Sequence, residues 1–346
     1  MLTRFFPPGE PLSLYIVIAF LALSLFLYCL LGGADFGAGV LEPFSRLRRG
    51  EQRKVIGKAM GPVWEANHMW LVLIVVILFV GFPGVYTRVS VHLHIPLTAM
   101  LLGVIARGTS FTFRHYDAVK DGSQRAYTGF FVFSSVWTPF FLGVTMGALV
   151  PGGIDPAAAG YYAGYVAPWL RPFPLALGAF TVCLFAFLAA VYLIGECPVG
   201  ELRAAFVRKA FRAGLVTIVA GGLVFAAAEA DGVHLLGEFL ASRASWSAAL
   251  LAALMLPGLA VALKRDLIWT ARALAGAQVA LVLAGWFRVQ YPVLVRIPGG
   301  DLTFFNSHAP ESSLNYLAGA LAVGSLLILP ALAWLFRVFK ARGEEA

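Results

Sequence analysis

Apolar positions in this chain fall in long unbroken runs, and most of the charges sit in the short segments between them. Runs of about 20 residues are what a helix needs to cross ~30 Å of hydrocarbon. They occur at approximately 12–40, 60–81, 90–113, 127–150, 173–195, 210–230, 246–263, 270–288 and 314–338. Each predicts a helix, because a backbone in lipid must satisfy its own hydrogen bonds and the short alternating strands of a barrel are missing. The expected fold is an all-α integral membrane protein of about nine transmembrane helices.

The chain, 1–346, is expected to form a single polytopic membrane domain. A faint echo divides it further: span one ends YCLLGGADFGAGVLEPFSR and span five ends VYLIGECPVGELRAAFVR, each with glycine, an acid and then basic residues. Two parallel four-helix bundles, 12–150 and 173–288, with a peripheral ninth helix at 314–338, would account for it.

Composition supports the membrane reading. The chain is 60% hydrophobic and 13% charged, with mean hydropathy +0.82, against roughly 25% charged residues in soluble domains. The net charge of +8 raises nucleic acid as a partner, but its distribution removes that reading. Basic residues cluster after spans one (Arg46, Arg48, Arg49, Arg53, Lys54, Lys58), three (Arg114, Lys120, Arg125), five (Arg203, Arg208, Lys209, Arg212), seven (Lys264, Arg265, Arg272) and nine (Arg337, Lys340, Arg342). The positive-inside rule then places the N-terminus outside and the C-terminus in the cytoplasm. The first apolar run is too long for the core of a cleaved signal and reads as a span. Cys29, Cys183 and Cys197 lie in or beside apolar runs without metal or redox spacing, and read as packing residues.

With orientation fixed, three polar residues fall at one depth near the cytoplasmic side: Asp35 at the end of span one, Glu65 a turn into span two, and Arg107 two turns above Arg114 in span three. An arginine in a span costs about 2.5–3.5 kcal/mol unless paired, so Arg107 is expected to bond Asp35 or Glu65. His68 follows Glu65 by three residues and shares its helical face. A carboxyl beside an imidazole suits a proton relay, whereas Asp35 with Arg107 also suits a plain structural lock. E-x-x-H spacing occurs in di-iron bundles too, but the second copy and further glutamates these need are lacking. His92 and His94 are two apart and point to different faces, so they do not share an iron. The methionines read as core filler. GGADFGAG follows no strand, and its Gly33 and Gly37 form a G-x-x-x-G close-packing pair rather than a phosphate loop.

The stretches GGADFGAGVLEPF, GPVWEANHMWL and LLGVIARGTSFTFR together resemble subunit II of the bacterial cytochrome bd quinol oxidases, including their cyanide-insensitive branch. The resemblance implies an oxidoreductase complex of aerobic respiration in the bacterial plasma membrane, taking electrons from membrane quinol and reducing dioxygen to water. It implies heme b and heme d held mainly by subunit I, and partnership with that subunit and with a small single-span accessory subunit. It also implies a role in assembly and in proton or oxygen access, with a bound quinone in some members. Asp35 matches the acid of the G-A-D-F-G motif, Glu65 the acid after tryptophan where many members have aspartate, and Asn67 the motif asparagine. His68 resembles the cyanide-insensitive form. Asp35, Asn67 and Arg107 are then the expected structural polar cluster, and Glu65, His68 and Asp35 the expected relay, with no metal ligand. The alternatives are a secondary transporter, favoured by a helix broken at midplane such as one at Pro257-Gly258, and a purely structural membrane scaffold.

Overall fold

The computed structural model describes residues 7–44, 49–60, 64–116 and 123–344. The side chains of Trp64, Glu65 and His115, at helix ends, lie outside that description. Among the described residues eight helices are long and apolar enough to cross a membrane, or nine if a bent helix pair counts as one span.

Span one is a continuous 30-residue helix from Leu12 to Leu41. Within it α1 (Leu12–Leu27) passes through a π-turn, Tyr28–Gly32, into α2 (Gly33–Leu41). A π-turn re-aims the residues beyond it by inserting one extra position into the helix, and here Asp35 is among the residues that follow. Next come α3 (Arg49–Met60), α4 (Trp64–Gly81), α5 (Pro83–His92) and α6 (His94–Tyr116). The chain continues through α7 (Ser123–Ala148), α8 (Tyr161–Tyr165), α9 (Pro172–Ile194), α10 (Glu201–Ala230), α11 (Leu235–Ala241), α12 (Arg243–Lys264) and α13 (Ile268–Gln290). A small antiparallel hairpin, β1 (Val293–Val295) with β2 (Leu302–Thr303), precedes α14 (Glu311–Glu344).

Two departures from the sequence reading have local causes. The second span ends at Gly81, where the sequence reading ended it, but a further helix, Pro83–His92, follows at 117° where that reading left a connection to span three. Proline at 83 cannot donate to the helix ladder, and Phe82 leaves helical dihedrals at φ −136°, ψ 60°. The segment joining spans eight and nine carries strands, short enough to be invisible as alternation. By contrast, Pro257 lies inside α12 without breaking it.

α9 is the central post: 61% of its apolar stretch is enclosed, against 11% for α10 and 17% for α12. It packs against α2, α7 and α10. Close approach is set by small residues. A Cβ on Gly33 would lie 2.7 Å from the Phe185 ring, and one on Gly37 would overlap the Phe185 carbonyl oxygen. The G-x-x-x-G pair thus seats α2 against α9, as close helix packing in lipid requires. A second core, formed by α1, α4, α14 and the 291–305 segment, encloses Leu14, Phe82, Tyr291 and Phe304.

Candidate functional site

Arg107, on α6, is 2% exposed and Asp35, on α2, is 1% exposed. The guanidinium donates from Nη2 to Asp35 Oδ1 at 2.8 Å and from Nε to Oδ2 at 3.2 Å, a two-pronged bond. Nη2 also donates to the Asp35 backbone carbonyl at 2.7 Å, and Nη1 donates to Ser135 Oγ on α7. Its faces are covered by Phe36, 4.7 Å away, and Phe131, 4.6 Å away. A desolvated cation is stabilised by this combination of charge-assisted bonds and aromatic faces.

Seven residues further along both helices the arrangement recurs. Arg114 Nη1 meets Glu42 Oε2 at 2.9 Å, and Arg53 from α3 meets Oε1 at 2.7 Å. Glu42 is buried, and Arg114 packs on the other part of the Phe131 ring at 5.0 Å. Because both acids precede their arginines by 72 residues, α2 and α6 run parallel with two ion pairs about 10 Å apart along the axis. The sequence reading did not single out Glu42. The shared spacing of Asp35 to Glu42 and Arg107 to Arg114 was the available signal. Gln52 and Lys209 complete this end: Lys209 Nζ donates to Gln52 Oε1 at 2.6 Å and to the Leu41 carbonyl at 3.2 Å.

His68 lies among aromatic rings beside the ion pair. Its ring lies 5.8 Å from Phe36 and 6.5 Å from Tyr28, edge-on to the latter. Phe36, fully buried, therefore contacts both His68 and Arg107. Asn67 is buried on α4, and no hydrogen bond joins it to Asp35 or Arg107. The Glu65 side chain lies outside the described residues.

Span five ends in a comparable pairing. Arg272 of α13 donates to Glu196 at 2.7 Å and to the Tyr192 carbonyl at 2.7 Å, pressing on Gly195. Beside it, in the turn after α9, burial pushes the Cys197 thiol up to about 11, with Arg203 pulling the other way, so it is a neutral thiol at physiological pH.

On the opposite end of the bundle, His92 Nδ1 lies 3.0 Å from the Gly164 carbonyl, and Tyr165 stacks on its ring at 5.8 Å. His94 Nδ1 lies 2.8 Å from the Val91 carbonyl, with Tyr165 and Tyr161 against it.

The structure resembles that of bd oxidase from Geobacillus thermodenitrificans, with TM-score 0.74 and 22% identity, covering 94% of this chain and 98% of that one. In sequence the chain is 28% identical to cytochrome bd ubiquinol oxidase subunit 2 of Bacillus subtilis (strain 168) over 336 residues, 95% of each. It is 30% identical to cytochrome bd-I ubiquinol oxidase subunit 2 of Escherichia coli (strain K12) over 190 residues, 54% of this chain and 49% of that one. The family described as cytochrome bd terminal oxidase subunit II matches residues 13–339. A membrane bundle of this shape, carrying the paired Asp35 and Arg107 and matched over nearly its full length, belongs to the cytochrome bd terminal oxidase subunit II family.

Proposed function

We propose that this chain is the subunit of a quinol-oxidising, dioxygen-reducing bd complex that does not itself ligate haem, and that it serves assembly and proton access. Heme b and heme d are then held by subunit I in the bacterial plasma membrane, and this chain keeps its N-terminus outside and its C-terminus in the cytoplasm. Membrane quinol supplies the electrons, and dioxygen takes up protons from the cytoplasmic side as it becomes water. The observation that carries the reading is the buried two-pronged bond from Arg107 to Asp35, which ties α6 to α2 beside the central helix α9. Family membership decides against the transporter alternative.

Proton entry is assigned to Glu65 and His68 at the start of α4. His68 and Arg107 both pack against the Phe36 ring, so protons would pass beside this ring by way of water or a ring rotation. The same ring supports a second reading, in which the cluster is a packed scaffold alone. Measuring assembly and turnover separately distinguishes the two. Glu65→Gln is expected to assemble with normal haem spectra but to slow quinol-driven oxygen uptake, while Glu65→Asp keeps most of it. Wild-type uptake in an assembled Glu65→Gln complex would leave only the scaffold.

A further inference from the structure

A groove of about 590 Å³ opens where α2 ends, α3 lies across and α7 begins, lined among others by Glu42, Arg53, Arg125, Gly129, Val132 and Phe133. We propose that it holds the phosphate headgroup of an anionic phospholipid. The inference is independent of the proton reading.

Charge sets the class of ligand. Glu42 is hydrogen-bonded through Oε2 to Arg114, and its Oε1 lies in ion-pair range of Arg53 without hydrogen-bond geometry. Arg125, exposed in the first turns of α7, adds a further cation. Among the described residues that line the groove, two guanidiniums, Arg53 and Arg125, thus stand against one carboxylate that Arg114 also pairs from outside it, and a negatively charged occupant restores the balance. Arg53 keeps 39% of its side chain exposed despite its ion pair with Glu42, so it can meet a second anion. Basic pockets at the ends of membrane helices take phosphate headgroups by this chemistry.

Shape narrows the class to a lipid. The outer wall is Val132 and Phe133, and Phe133 is 54% exposed beside Phe130 at 59%. These side chains continue the apolar surface of α7 away from the charged floor. An occupant that satisfies both ends joins an anionic head to hydrocarbon tails. Free phosphate would satisfy only the floor. Gly129 faces open space, with nothing within 4 Å of the position its Cβ would take.

The test uses the complex extracted with its partner subunit, delipidated and then exposed to phosphatidylglycerol or phosphatidylcholine vesicles. Bound lipid is counted by native mass spectrometry as the difference between wild type and variant. Wild type is expected to retain phosphatidylglycerol over phosphatidylcholine. Arg125→Gln should weaken that retention about fivefold, the effect of one basic residue near an anionic headgroup. Gly129→Leu should abolish it by filling the groove, in a helix that replacement of glycine favours. Any of four results overturns the proposal: equal retention of both lipids, displacement of the lipid by inorganic phosphate, undiminished retention in Gly129→Leu, or no phosphatidylglycerol held by the wild-type complex.

Discussion

At the scale of single residues, Arg107 illustrates how a membrane bundle keeps a charge. Burying it alone would cost several kcal/mol, and here its donors reach both Asp35 oxygens, the Asp35 carbonyl and Ser135. Asp35→Asn leaves that guanidinium facing a neutral amide. It is expected to lower stability by about 3–5 kcal/mol, seen as loss of detergent-stable complex and of haem content. Arg107→Lys keeps the charge but offers a compact donor that cannot span these partners together, so its thermal midpoint should fall between wild type and Asp35→Asn. An unchanged midpoint and haem spectrum in Asp35→Asn would remove the lock. That Arg107 must pair with Asp35 or Glu65 was legible because an unpaired arginine in a span is costly and few acids share its depth; the structure selected Asp35. Glu42 was not legible, because an acid after a span looks like any solvated loop residue until Arg53 and Arg114 are seen closing on it.

Between helices, the decisive quantity is how closely two backbones approach. Gly37 lets α2 rest on α9, and Gly39 lets it rest on Ser135 of α7, where added methyl groups would overlap neighbouring atoms. Gly222 on α10 has open space instead. Gly37→Ala is therefore expected to cost at least about 1–3 kcal/mol through forced separation of backbones. Gly222→Ala should stay within about 1 kcal/mol of wild type. Thermal midpoints of the two assembled variants, read side by side, check this, and equal midpoints would show that α2 and α9 tolerate separation. The G-x-x-x-G spacing marked one of these contacts in the sequence, but not the partner helix. The helix Pro83–His92 was hidden as well, since a proline just past an apolar run reads as the end of a span and not as the start of another helix.

For the molecule as a whole, the distribution of basic residues predicts orientation. A fluorescent protein that matures only in the cytoplasm should fluoresce when fused after Ala346, and an alkaline phosphatase that folds only outside should be inactive there. The reverse result would invert the proposed topology and with it the side from which protons enter. The chain alone determined that it is a membrane bundle, roughly where its spans lie, and that Arg107 must find an acid, Asp35 or Glu65. Those follow from transfer free energies that accumulate locally along the sequence. Tertiary structure decided that α9 is the central helix, that Phe36 stands against both His68 and Arg107, that a second ion pair repeats the first, and that a charged groove opens beside α7. Hydropathy could not foretell these, because lipid and neighbouring helices are equally apolar, so the choice of neighbour rests on shape and polar bonding between residues far apart in sequence.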